Sequence, residues 1–277
     1  MKKDLLSITD LTKPELLDLL KLAIKVKGQI PDQQVDYTSI LRNKTMVMIF
    51  EKPSLRTKVS FEIAMNQLGG QALYLGPGEI QMGVRESVKD IACVVAGMAD
   101  IMMARVFKHE VIIELAANSA VPVINGLSDL EHPCQILADL LTILELKGDF
   151  CKLKLAYLGD GENNVTHSLL LAGGLLGMDI AVACPKGYAP DAWIVKNALK
   201  LAHSSGAQLE ISQDVKAIVQ NADIIYTDTW VSMGDEQSKV QRVRDLQPYQ
   251  VTPEVMCEAK KDAIFMHDMP ALSLIHI

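Results

Sequence analysis

The chain has 277 residues, is 49% hydrophobic and 22% charged, and carries a formal net charge of -7 at pH 7. That length accommodates two moderate α/β cores, and the negative balance gives no electrostatic reason to bind nucleic acid, whose phosphates demand a basic face. No run of about 18 uninterrupted apolar residues occurs, which excludes a membrane-spanning helix, and the start MKKDLLSITDLTKPELLDLL lacks the apolar core and cleavage site of a secretory signal, so a cytoplasmic protein is expected.

After an opening amphipathic helix, TMVMIF (Thr45 to Phe50) predicts a buried strand, followed by a helix through Phe61 to Leu68 that stops at Gly69-Gly70. QALYL is the next strand, ESVKDIACVVAGM the next helix, and DIMMARV another strand; a helix from His109 to Asn118 and a strand at VPVIN follow. Asp129 to Leu146 predicts one long helix leaving this first sheet, and the turn Lys147-Gly148-Asp149 is the expected domain boundary, giving domains 1–147 and 148–277. A second series of strands follows at KLKLAYLG, MDIAVACP, AQLEIS, ADIIYTDT and AIFMH, with helices near Val165 to Leu176, Ala192 to His203 and Val215 to Gln220. The alternation predicts an α/β fold of two three-layer domains, each with a mostly parallel sheet flanked by helices. Ligands in such sheets sit beyond the carboxyl ends of the strands.

Six segments lie at those ends. Ser54 is a good N-cap before a helix, Arg56 adds a guanidinium fork and Thr57 a hydroxyl, so Ser54-Leu55-Arg56-Thr57 can cradle an anion on helix amides; an ordinary capped surface helix explains the same residues about equally well. Arg105 closes an otherwise apolar strand, and His132 and Gln135 lie three apart on one helix face, with Pro133 in its first turn. Gly159-Asp160-Gly161-Glu162-Asn163-Asn164 follows a strand and opens a helix, but Asn164 replaces the third glycine of a dinucleotide fingerprint and the next strand ends without an acidic residue. No nicotinamide cofactor is expected there, and the asparagines offer amides to a polar ligand. Asp228 can pair with an ammonium, with Ser232 and the Met233-Gly234 backbone beside it; an Asx turn is the plainer reading. His267-Asp268-Met269-Pro270 ends the last strand. Cys93, Cys134, Cys151, Cys184 and Cys257 never form C-x-x-C, which argues against a disulfide framework and a structural zinc site.

On these segments the chain resembles the transcarbamylases over essentially its whole length. Ser54 to Thr57 is similar to the family's S-x-R-T motif and His132 to Gln135 to its H-P-x-Q motif, while Asp228 to Gly234 matches the D-x-x-x-S-M-G motif of the ornithine branch. The resemblance implies a carbamoyl phosphate-binding first domain and an ornithine-binding second one, carbamoyl transfer to the δ-amine of ornithine to give citrulline and phosphate, no metal or organic cofactor, and a homotrimer. It further implies that Ser54, Leu55, Arg56 and Thr57 bind the phosphate, and that Arg105, His132 and Gln135 hold the carbamoyl end. Asn164, Asp228, Ser232, Met233 and Met269 take ornithine, with Arg105, His132 and Asp268 as the catalytic set.

Three departures from the family pattern stand out. Lys58 replaces a second arginine, which keeps charge and loses a planar fork. Asp268 replaces the cysteine of H-C-L-P; a carboxylate with an ordinary pKa of ~4 favours the ammonium over the free amine and opposes attack unless burial raises it. The ending ALSLIHI stops in an apolar run where family chains continue through further helices, so a C-terminally truncated product is expected. The competing readings are a transcarbamylase acting on aspartate, putrescine or acylated ornithine, an NAD-dependent enzyme, and a non-catalytic carbamoyl phosphate-binding protein.

Overall fold

A computed structural model describes residues 3–29, 35–231 and 239–271, and the chain divides into two compact units, Met1–Leu141 and Thr142–Ile277. In the first unit, α1 (Lys13–Gln29) precedes β1 (Thr45–Phe50), α2 (Leu55–Gln67), β2 (Gln71–Leu75), the one-turn α3 (Pro77–Ile80), α4 (Val88–Ala96), β3 (Ile101–Arg105), α5 (His109–Asn118) and β4 (Val123–Leu127). The strands form a parallel sheet in the order β2-β1-β3-β4. Side chains alternate across a strand, and β1 shows the consequence. Met46, Met48 and Phe50 pack with Met103 and with Met65 and Phe61 of α2, whereas Val47 and Ile49 pack with Ile91 and Ala92 of α4 and Ile112 and Leu115 of α5. The chain start runs along the β4 edge, where Leu5 N donates to Val123 O and Asn125 N donates to Leu5 O, both within 2.9 Å, and so covers an open strand edge.

Helix α6 (Pro133–Lys147) contains the division between the units. The second unit continues with β5 (Lys154–Leu158), α7 (Asn164–Leu176), β6 (Asp179–Ala183), α8 (Ala192–Ser205), β7 (Leu209–Ser212), α9 (Val215–Val219), β8 (Ile224–Thr227), α10 (Lys239–Leu246), α11 (Pro253–Glu258) and β9 (Ile264–His267). Its sheet is parallel in the order β7-β6-β5-β8-β9. Ala156, Leu158, Ala181, Ala183 and Ile225 face Ile218 and Val219 of α9. Helix α7 is buried along nearly its whole length because Gly173 and Gly174 admit neighbours that a side chain would exclude. A Cβ on Gly173 would lie 2.2 Å from the Ile180 side chain of β6, and one on Gly174 would lie 2.8 Å from Ala198 O of α8.

Two expectations needed correction. The strand expected at VPVIN is displaced to Val123–Leu127, because Leu127 pairs with Arg105 after an irregularity in the ladder. The long helix starts at Pro133 rather than Asp129: Ser128 Oγ accepts the Glu131 amide, and the Asp129 carboxylate accepts the His109 amide at 2.9 Å, capping α5 instead. The short helices α3, α10 and α11 are additions to the sequence reading. Among the described residues no helix is long and apolar enough to cross a membrane.

Candidate active site

In the first unit the site grows from the junction of β1 and α2. Ser54 has an extended backbone and caps α2, its Oγ accepting the Thr57 amide at 3.4 Å, and lies 3.1 Å from Thr57 Oγ1. The first-turn amides of a helix have no intrahelical acceptor and carry its positive pole. Leu55 is 76% exposed, so the residue contributes its backbone to the turn and leaves most of its surface in solvent; Arg56 is also exposed.

Arg105 ends β3 and is buried, yet its Nη1 donates to Thr57 Oγ1 at 3.3 Å. Strand pairing fixes this: Arg105 lies opposite Phe50, and Glu51 N donates to Arg105 O at 2.9 Å, so the arginine emerges beside the segment leading into α2. His132, just before α6, is buried as well, and burial together with the positive charge of Arg105 pushes its imidazole down to about 3. At neutral pH it is therefore an uncharged ring. Gln135, one turn on, donates from Nε2 to Asp139 at 3.1 Å. Lys58 lies 4.2 Å from the centre of the Tyr74 ring and 3.9 Å from Glu62, so the residue standing in for an arginine is engaged with its own helix and β2.

In the second unit the carboxyl ends of β5 and β8 carry a buried polar network. Asn163 caps α7 through Oδ1, which accepts the Val165 amide at 2.7 Å, while its Nδ2 donates to Asp228 Oδ2 at 2.8 Å. Asp228 Oδ1 accepts the Thr229 amide at 2.7 Å. Burial, then the negative charge of Asp268, lifts the Asp228 carboxyl well above the usual carboxylate range, against the pull of the Thr229 and Asn163 hydrogen bonds. Asp160, in the β5–α7 loop, is ion-paired with Arg242 of α10, whose Nε donates to Trp230 O at 2.7 Å. Burial raises the Asp160 carboxyl to about 6 while Arg242 opposes the rise, which leaves the pair ionised at neutral pH. Gly161 lets this loop close down: a Cβ there would lie 2.4 Å from Tyr188 O.

Asn164 opens α7 and is half-buried. Asp268 is half-buried one residue past β9, and Met269 is 57% exposed. Ser232 and Met233 lie outside the described residues. Among the described residues no group of three His, Cys, Asp or Glu side chains is placed to hold a metal ion.

Residues 3–145 match the family described as aspartate/ornithine carbamoyltransferase, carbamoyl-P binding domain, and residues 151–275 match its Asp/Orn binding domain. The chain belongs to the aspartate/ornithine carbamoyltransferase family. It is similar to the ornithine carbamoyltransferase of Archaeoglobus fulgidus, 50% identical over 269 residues that cover 97% of this chain and 85% of the relative. The Listeria innocua ornithine carbamoyltransferase is 48% identical over 270 residues, covering 97% and 84%. Among solved structures, ornithine carbamoyltransferase from Pyrococcus furiosus superposes with a TM-score of 0.93 at 45% identity, covering 98% of this chain and 85% of that one. The anabolic ornithine carbamoyltransferase of Campylobacter jejuni superposes at 0.90 with 39% identity, covering 98% and 87%.

Set in this family's fold, the strand-end residues divide by unit: Ser54, Thr57, Arg105 and His132 gather in the first, Asp228 with its capping asparagine in the second. Sequence reading noted both asparagines and assigned Asn164 to the ligand; the structure adds that Asn163 is the N-cap of α7 and holds Asp228. Sequence reading missed Arg242, for which a polar stretch gave no warning.

Proposed function

We propose that this chain transfers the carbamoyl group of carbamoyl phosphate to the δ-amine of L-ornithine, releasing L-citrulline and phosphate. The observation that carries the reading is the contact between Arg105 and Thr57 at the N-terminus of α2, inside the unit that matches a carbamoyl-P binding domain. Ser54, Leu55, Arg56 and Thr57 are assigned to the phosphate, met by first-turn amides, the Arg56 fork and two hydroxyls. Arg105, with Thr57, His132 and Gln135, is assigned to the carbamoyl group.

The chemistry follows from these charges. The δ-amine attacks the carbamoyl carbon and negative charge gathers on its oxygen; Arg105 stabilises that charge without giving up a proton. His132, held neutral, orients the group by hydrogen bonding and is not an imidazolium acid. The C–O bond to phosphate breaks, and phosphate accepts the proton lost by the attacking nitrogen. Holding both substrates in line supplies much of the rate. Asn164, Asp228, Ser232, Met233 and Met269 are assigned to ornithine, with Asn163 positioning Asp228, and Asp268 is assigned with Arg105 and His132 to the catalytic set.

We further propose that the protein works as a cytoplasmic homotrimer and that its domains are 1–147 and 148–277. Supporting that boundary, α6 ends at Lys147 and is followed by Gly148, whose positive φ of 81° terminates the helix. Aspartate and putrescine are the competing acceptors. Offering ornithine, aspartate and putrescine separately with carbamoyl phosphate decides between them: carbamoylation of ornithine alone is expected, and preferential carbamoylation of either other amine overturns the assignment.

A further inference from the structure

Strands β8 and β9 are parallel neighbours with Thr227 opposite His267, so Asp228 and Asp268 are the next residues on adjacent strands and leave the sheet at one edge. Adjacent strands run about 4.8 Å apart. Asp228 is buried and fixed by Asn163 and Thr229; Asp268 is half-buried. Among the described residues the surrounding ionisable groups are Asp160 and Glu162 in the β5–α7 loop, Tyr157 of β5, Arg242 of α10 and His267 of β9. Arg242 contacts Asp160 and the Trp230 carbonyl. Two carboxylates at neighbouring strand ends, one of them buried, do not both ionise cheaply when they influence each other, and such groups titrate as a pair. The charge of Asp268 disfavours ionisation of Asp228.

We propose that Asp228 and Asp268 act as one carboxylate pair that shares a proton in the empty site and releases it to solvent when the α-ammonium of the amino-acid substrate binds. The inference rests on the ornithine site assigned above and adds the proton traffic of filling it. The only bond that breaks is the carboxyl O–H of the pair: the substrate keeps its ammonium, the pair goes from one negative charge to two, and the departing proton bonds to the buffer base. An arriving cation supplies what the second carboxylate lacks. Ammonium affinity therefore depends on pH through the protein, independently of the later loss of a proton from the δ-amine.

The probe is L-norvaline, which carries the α-ammonium and α-carboxylate on a five-carbon chain but has no δ-amine to be carbamoylated. Calorimetric titration into the protein saturated with carbamoyl phosphate, in two buffers of one pH and different ionisation enthalpy, counts protons exchanged. Release approaching one proton per site near pH 7 is expected. The norvaline inhibition constant should fall by up to about tenfold per pH unit through the range where the pair titrates, with the carbamoyl phosphate KM following a different course. Asp268→Asn keeps the shape, removes the second charge and is expected to abolish the release and flatten the profile; Asp268→Ser serves if the first variant folds poorly. Heat that is the same in both buffers for the unaltered protein, or equal release from the Asp268 variant, overturns the proposal. Citrulline formation measured on the same samples separates the failures: citrulline without proton release sinks the pair alone, whereas neither citrulline nor norvaline binding sinks the ornithine reading and the pair with it.

Discussion

Ser54, Leu55, Arg56 and Thr57 in the first unit are half-exposed or exposed, whereas Asp160, Asn163 and Asp228 in the second are buried and each held by at least one strong hydrogen bond or ion pair. The difference follows from what carries the charge. A helix N-terminus and a guanidinium stay positive at any physiological pH, so an anion site built from them can stand open. A cation site built from carboxylates keeps its charge only if burial, neighbours and hydrogen bonds are balanced, and that requires a scaffold.

The largest expected effect tests the non-titrating half. Arg105→Gln removes the fixed charge beside Thr57, and kcat for citrulline formation is expected to fall by about 10²–10³-fold, the usual cost of losing one oxyanion donor; steady-state assays check it. In the titrating half, Asp228→Asn keeps the shape and loses the charge. The KM for ornithine should rise by roughly 10–100-fold, the worth of one charged hydrogen bond, with carbamoyl phosphate affinity unchanged by direct binding measurement. Scaffold dependence is tested by Gly161→Ala, whose Cβ would meet backbone at 2.4 Å. A stability loss of about 1–3 kcal/mol is expected in denaturant unfolding, together with weaker ornithine binding.

Acid sensitivity sharpens the contrast further. His132 is depressed from 6.5 to about 3 in the folded chain, so the unfolded chain binds the proton more readily. Stability is full above the unfolded value and falls as pH drops from 6.5 toward 3. His132→Gln is expected to flatten that part of the unfolding profile; an unchanged slope contradicts the burial argument. The smallest effect is expected from Lys58→Arg, because Lys58 is occupied with Tyr74 and Glu62: kcat/KM should shift by less than roughly tenfold, about 1.4 kcal/mol.

Most strands were legible because a buried parallel strand writes a short apolar run, as TMVMIF and DIMMARV do. Helix α6 was placed too early because Asp129 reads as an N-cap in sequence, and only the tertiary fold shows it capping α5. The site was legible where a residue type is unusual for its place, as with Arg105 closing an apolar strand. It was illegible where function depends on a partner far along the chain: Arg242 finds Asp160 across 82 positions, and no local pattern marks either. The departure at Asp268 was visible, but its consequence needed the register of β8 and β9, which sets it beside Asp228.

The most direct test of the carbamoyl-transfer account is to incubate the chain with carbamoyl phosphate and ornithine and measure citrulline and phosphate together. Equal amounts of the two, dependent on ornithine and lost in the Arg105 variant, are the predicted result. Phosphate release without citrulline, or citrulline formation undiminished by Arg105→Gln, would contradict it.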